Sequence, residues 1–600
     1  MKKTFKLSVI AIGVMGLSQA CSAAHFTPGD YEASEQGIHG PVAVKVTFSK
    51  DKIQNVVVTK NTETEGIGSK AVDVLPKAIV ERQSTQIDGL SGATVTSNAI
   101  KKAVDSCIIA AGEKPESLLP LVVKSKSEEK KLDTDMLVVG GGGSGMSASI
   151  RGRMNGMNVI LVEKMPYIGG AAAISGGQVV AQGSKLQKEY GSTEDSPESM
   201  IKDFMANGHN LNDKEKLSLY AHNVGATIDW LHDKVGVKFI PNDLPYLAEY
   251  THKRALEFQG GAKTMAQHLR DVIGGNGTKL LLNTKVERLI TDENGRVIGV
   301  EAKDANGVHY TIKAKATLLS TGGFGNNKDL LVEPIKSTLY YGPVSSTGDG
   351  HIMAMKLGAK TQLMEYGKRY PNGIEIAPGK AKSTIYANVG AFDQAGILVD
   401  VDGNRFVNEK ASNRHILDPM LKTKNGQGYV VMDEKSWQGF YKRLPETGVS
   451  HESADQYLKA NGSQTPLFVK GDSIEKAAEL AHINAANLRK TIEKYNEYVK
   501  AGKDSAFDRP KEYMKAEFDM NGPVYIVEQK PRFATTMGGV MTNNKLQVIR
   551  KDGSVIPGLY ASGELVGGVM GDDSPAGANV GWALTSGRVA ADSIAEEIKK

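Results

Sequence analysis

Gly140, Gly142 and Gly145 form a GxGxxG run directly behind the apolar stretch 136–139, a spacing that cradles phosphates. Between a strand and a helix, the first glycine permits a tight turn and the second lets backbone approach a pyrophosphate. The third allows close packing of the helix that begins near Ser144. That helix start offers free N–H groups and the positive end of its dipole. A second apolar stretch, 158–162, ends on Glu163, at the separation where an acidic side chain meets the adenosine ribose hydroxyls. The continuation points to FAD rather than NAD: Gly170, Ala171, Ser175, Gly176 and Gly177 belong to a small, flexible run suited to pass beside a flavin's diphosphate and ring. Near the C-terminus the run 558–563 delivers Glu564 at a strand's carboxyl end, where it can meet the ribityl hydroxyls. A helix predicted over 581–598, preceded by Ala578 and Val580, would aim its N-terminus at the isoalloxazine and favour the reduced, anionic form.

These residues need several elements to position them. A chain of 600 residues exceeds one hydrophobic core, so multiple domains are expected, in an α/β and α+β arrangement. Apolar content of 40% and charged content of 24% are ordinary for a globular protein. The net charge of +5 is small for this length and its basic residues are scattered, which argues for neither nucleic acid nor a membrane surface. The run 42–48 alternates and 52–58 follows as a second strand, a hairpin opening a small α+β domain over 27–115. The charge run 124–131 lies in a linker, 116–131. A Rossmann-like FAD domain then occupies 132–360 and 531–600 around an inserted α+β domain, 361–530. Helices are expected near 199–204 and 214–231, a strand over 278–289, and a hairpin of 297–302 with 308–314 about Asn306-Gly307. The stretch 316–325, containing Gly322, reads as a separate buried strand, and Asp349 precedes a helix over 352–357.

Residues 1–24 read as an export signal, with Lys2, Lys3 and Lys6 before an apolar run from 7 to 17 that is too short to span a bilayer. Cleavage before Cys21 would make a lipoprotein; either way a periplasmic location follows. Only Cys107 then remains, a buried apolar side chain rather than half of a disulfide. Two cysteines in all exclude CxxCH haem sites and iron–sulfur clusters, and no metal site is expected, so electrons must move through flavins.

The segment 88–94, DGLSGAT, resembles the FMN-attachment motif of sodium-pumping quinone reductase subunits and periplasmic flavoproteins. In that family a flavin transferase esterifies FMN phosphate to the threonine after Gly-Ala, here Thr94; Thr96 and Ser97 are helix caps. In their order, the other motifs resemble the soluble fumarate reductase family, including urocanate reductases and, more distantly, succinate dehydrogenases and ketosteroid dehydrogenases. The resemblance implies hydride transfer from reduced FAD to one carbon of an activated C=C under a capping domain. An arginine protonates the other carbon. The stretch 403–409, GNRFVNE, resembles the family's GxRFVNE, and Arg414 shortly after it is the expected acid.

Departures from the family bear on substrate. Fumarate reductases have histidine before TMGG and an arginine in a GANRLGG-like loop; this chain has ATTMGG at 534–539 and GDDSPAGAN at 571–579. Without both cations the clamp on a dicarboxylate is lost. Tyr366 or Tyr370, Tyr386 or Asn388, Thr535 and Ser574 are then the expected substrate contacts, suited to an aromatic ring or a carbonyl oxygen. The expected activity is respiratory reduction of an acrylate- or urocanate-like C=C, with electrons entering through FMN from a periplasmic or membrane-anchored c-type cytochrome. A ketosteroid-type dehydrogenase and a flavin electron carrier are the alternatives.

Overall fold

The computed structural model describes residues 24–37, 40–61, 68–87, 89, 93–120, 128–192, 194–247 and 249–599, with the side chains of 68–70 and 94 outside this set. The export signal and most of the DGLSGAT motif therefore lie outside the described residues, and so does the side chain of Thr94. Two compact units divide at Ser125 and Lys126.

In the first unit, strands β1 (Gly29–Gln36), β2 (Pro41–Phe48) and β3 (Ile53–Lys60) form an antiparallel meander. Alternation on β2 sends Val42, Val44, Val46 and Phe48 into the core. Helix α1 (Gly68–Arg82) and helix α2 (Thr94–Ala110) cover that face, α2 with Ile100, Ala103, Val104, Cys107 and Ile108. Burial pushes the Cys107 thiol up to about 11, consistent with an inert apolar role. The hairpin is the one expected. Strand β1 was not, because GDYEASEQ has few apolar residues; it is held by its ladder, as in Tyr31 opposite Val46, and by Tyr31 and Ala33 packing on the core.

The second unit opens with β4 (Glu129–Val139), so the last residues of the expected linker belong to a strand: Glu129 and Lys130 pair with His309 and Tyr310. Helix α3 (Gly143–Met154) leads to β5 (Val159–Val162), which pairs in parallel with β4 and with β6 (Lys279–Leu281). Strand β8 (Val297–Asp304) lies antiparallel between β7 (Thr284–Thr291) and β9 (His309–Leu319). The hairpin arm and the buried strand expected as separate elements are both in β9: its first half alternates in burial and its last four residues are fully buried. Strand β9 lies parallel to β4 and to β10 (Val555–Ala561). Val139, Val162, Leu319 and Ala561 align in register, so Gly140, Glu163, Ser320 and Ser562 leave the sheet at one edge, where open α/β sheets take ligands. Helix α4 (Ala578–Ile598) packs on α3.

A seven-stranded second sheet is built around the long strand Val524–Thr536. Its neighbours include Gly367–Ala377 and Gly428–Met432, and it recruits Leu339–Tyr340 from ahead of the inserted segment. Trp437 stacks on Tyr525 at 4.7 Å in the core beneath it. The central strand carries the chain back, ending on Thr536 against Glu564. Among the described residues no helix is long and apolar enough to cross a membrane.

Candidate active site

At the edge of the first sheet the glycines divide by function. Gly140 has φ +101°, and a Cβ on it would lie 2.5 Å from the Ser320 carbonyl oxygen; one on Gly145 would lie 1.9 Å from that of Gly140. Both are needed to bring helix and strands together. A Cβ on Gly142 would meet nothing within 4 Å. It faces a cavity of about 570 Å³ that Gly140, Ser144, Glu163, Gly170, Ala171, Ser175, Gly176 and Gly322 also line. This open space at the N-terminus of α3 fits a diphosphate, and these residues would hold the FAD. Gly145, Gly177 and Ala578, expected as cofactor contacts, are absent from the lining. Gly177 approaches backbone at 261–262, and Ala578 is buried in the first turn of α4.

Backbone N–H groups fix Glu163 and Glu564, and lysines fix Asp349. Glu163 Oε2 accepts the Gly141 N–H at 2.7 Å and Oε1 the Met165 N–H at 2.8 Å, with burial raising its pKa against those bonds. Asp349 lines the cavity and pairs with Lys164 at 2.7 Å, with Lys285 3.8 Å away. Burial alone would raise the Asp349 pKa, but the Lys164 bond and both lysine charges hold it below its ordinary value. Glu564 Oε1 accepts from the Thr536 N–H at 2.9 Å and from its hydroxyl at 3.0 Å. Burial nevertheless pushes Glu564 from 4.5 up to about 7. The folded chain therefore retains a proton that the unfolded chain releases, and stability should fall as pH rises between those values. Glu564→Gln in the flavin-free protein is expected to flatten that part of the melting-temperature profile. Equal slopes in the two proteins would contradict it.

Helix α4 begins three residues earlier than expected. Gly577, at φ +76°, is its N-cap without a side-chain bond, and Gly577, Asn579 and Val580 line the cavity. The free N–H groups of this helix thus open on the cavity, where they would favour an anionic ring.

The second sheet supplies the opposite wall. Lys368 and Tyr370, two apart on one strand, line it with Tyr386, Thr535 and Ser574. Tyr366 does not; it packs against the core of the first sheet. Asn388 is buried, its amide donating to Gln529 Oε1 at 2.9 Å. Lys368 donates to the Ser574 carbonyl and stands 3.3 Å from Asp573. Among the described residues the cations in the lining are Lys164, Lys285 and Lys368, and it includes neither arginine nor histidine.

Arg414 sits outside the lining, in the first turn of the helix Asn413–Met420. Its Nε is 3.0 Å from Asp418 and its Nη2 3.9 Å from Asp572. Asp572 belongs to the loop whose Ser574 to Gly577 line the cavity, and its other oxygen meets His209 Nδ1 at 2.7 Å. The RFVNE motif itself serves folding: Arg405 pairs with Glu409 at 2.8 Å and with Asp504 at 2.9 Å, all three buried.

A family model described as FAD binding domain matches residues 135–580 and one described as FMN-binding domain matches 37–109. A urocanate reductase of Eggerthella lenta is 30% identical over 94% of this chain and 92% of its own length. The chain belongs to the fumarate and urocanate reductase family of flavoproteins. Its members here include an NADH:acrylate oxidoreductase of Vibrio harveyi, 28% identical over 95% of this chain, which spans 61% of that protein. A solved open conformation of a flavocytochrome c3 fumarate reductase matches 78% of this chain and 79% of its own, with 29% identity and a TM-score of 0.62. The protein is an FAD-dependent oxidoreductase of the enoate reductase type, carrying an FMN-binding and an FAD-binding domain.

Sequence reasoning passed over Lys164, Lys285, Lys368 and Arg532. Lys164 could have been suspected as the residue after the strand-end acid. Lys368 carried a signal only in its two-residue spacing from Tyr370, which counts once that stretch is known to be a strand.

Proposed function

We propose that this reductase saturates the C=C bond of an α,β-unsaturated compound with one carboxylate or carbonyl, acrylate- or urocanate-like rather than fumarate. One observation carries the reading: beside Tyr370, Tyr386 and Ser574 the cavity lining offers Lys368 as its cation, where a dicarboxylate needs two clamps. The urocanate and acrylate relatives support it. FAD held along Gly142, Glu163 and Glu564 would supply a hydride to one alkene carbon. Arg414 supplies a proton to the other, arriving from behind the Asp572 loop. Asp572, between Arg414 and the half-exposed His209, returns a proton from solvent. Tyr370 and Tyr386 flank the ring or carbonyl of the substrate, and Ser574 and Thr535 contribute hydroxyl groups.

FMN, esterified to Thr94 by a flavin transferase, would supply the entry point for electrons, and a c-type cytochrome would be their source, a reading that the flavocytochrome neighbour supports. An export signal at 1–24 would direct the protein to the periplasm, soluble or tethered through Cys21. Steady-state oxidation of reduced methyl viologen by a panel of enoates and enones tests the activity. Intact mass tests the flavin bond: protein made with the transferase should carry one added FMN that Thr94→Ala lacks. Equal masses would refute the attachment.

A further inference from the structure

A buried guanidinium lies behind the tyrosines of the cavity. Arg532 is 2% exposed and its side chain is wedged between two rings, 3.9 Å from the centroid of Tyr341 and 4.6 Å from that of Tyr370. Those rings meet edge to face at 6.2 Å, and both line the cavity. Nε donates to the Asn372 carbonyl at 3.0 Å and Nη2 to Ser383 Oγ at 2.8 Å, while Nη1 is buried without a hydrogen-bond partner. Among the described residues no carboxylate lies within 4 Å of it. An arginine keeps its charge in a protein, and a buried charge without a counterion is costly. The fold retains this one against two tyrosines that face the ligand space.

Lys368 is on the same strand as Tyr370, with Nζ 5.5 Å from its ring centroid. Of its three donors one goes to the Ser574 carbonyl, and Asp573 at 3.3 Å balances its charge. Ser574 Oγ accepts from Asn579 Nδ2 at 2.9 Å, which leaves its own proton to donate. Lys368 thus stands beside Asp573 with donors to spare, while Arg532, behind the tyrosines, has no carboxylate within 4 Å among the described residues.

We infer that Lys368, with the Tyr370 hydroxyl held beside it by Arg532, forms an anion subsite that receives a single carboxylate of the substrate. This rests on the reductase reading and adds to it the group that recognises the acid. Lys368 donates a charge-assisted hydrogen bond to the carboxylate, and Tyr370 donates a second. Arg532 acts as a positioning residue: it clamps both rings. Lys368 is the cation that this wall of the cavity offers to the carboxylate.

The test uses the FAD-loaded protein. Binding of propanoate, 3-phenylpropanoate and their methyl esters is followed by perturbation of the flavin spectrum, and turnover of acrylate, cinnamate and their methyl esters by viologen oxidation. Wild type should prefer acid over ester in both assays. In Lys368→Met that preference should fall about 10- to 150-fold, the range for one hydrogen bond to a charged group, with flavin content and melting temperature retained. Tyr370→Phe should lower it by a smaller factor, and Lys368→Arg should recover part of it. A lysine that merely anchors the Ser574 loop would weaken acid and ester alike, and an unchanged acid-to-ester ratio in Lys368→Met overturns the subsite while turnover leaves the reductase reading intact. Selective, lysine-dependent binding of the saturated acids with no turnover of any enoate would sink the reductase reading and leave the anion subsite standing.

Discussion

Alanine in place of Arg414 is expected to lower kcat on the best enoate about 10²- to 10⁴-fold, the usual contribution of a positioned proton donor. KM and flavin content should change little, because Arg414 lines neither the dinucleotide loop nor the tyrosine wall. Arg414 lies at the start of its helix, and its Nη2 approaches Asp572, two residues ahead of the cavity-lining Ser574. Its partner Asp418 is one turn further along the same helix. A proton lost from the guanidinium can return along Asp572 and His209, which reaches solvent. Asp572→Asn should therefore also depress kcat, by a smaller factor, and alter its pH profile. Retention of kcat within about threefold in Arg414→Ala, against the range above, would reduce Arg414 to a surface ion pair, which contributes little.

The second large effect concerns the flavin. Gly142→Val should fold but bind FAD at least about 100-fold more weakly, because the new side chain would occupy the space where several hydrogen bonds to the diphosphate are made. Position 142 is suited to this test: its φ of −72° suits any residue, and a Cβ there meets nothing within 4 Å. Gly145→Ala is the contrasting variant. Its Cβ would fall 1.9 Å from a backbone oxygen, so helix and strand must separate and stability itself should drop. Titration of deflavinated protein with FAD, alongside thermal melts, distinguishes loss of binding from loss of fold. Normal FAD affinity in Gly142→Val would place the diphosphate elsewhere.

The strand ends were legible in the sequence because apolar runs stop abruptly at glycine or an acid, and each such stop falls on one edge of the sheet. Gly140, Gly142, Glu163 and Glu564 could be placed for that reason. Gly145 and Gly177 belong to the same motifs but pack against backbone, and sequence spacing does not separate a glycine that makes room for a ligand from one that makes room for a helix. The start of α4 was placed at Gly581 because the loop ahead of it is also rich in small residues; the left-handed Gly577 is what begins the helix. The cations of the substrate end were hidden for a different reason. Arg532 reaches Tyr370 through the pairing of two strands more than 150 residues apart in sequence, and Tyr341 joins from a third segment. Such a cluster is a property of register, which local patterns in one chain do not specify.

The most direct measurement is anaerobic mixing of the fully reduced, FAD-loaded protein with one enoate at a time, following return of the oxidised flavin spectrum and identifying the product. With acrylate, cinnamate or urocanate, rapid reoxidation is expected, with an equivalent of the saturated monocarboxylic acid formed. Fumarate should be far slower. Rapid reoxidation by fumarate with every monocarboxylate inert, or a flavin that stays reduced with all of them, would contradict that expectation.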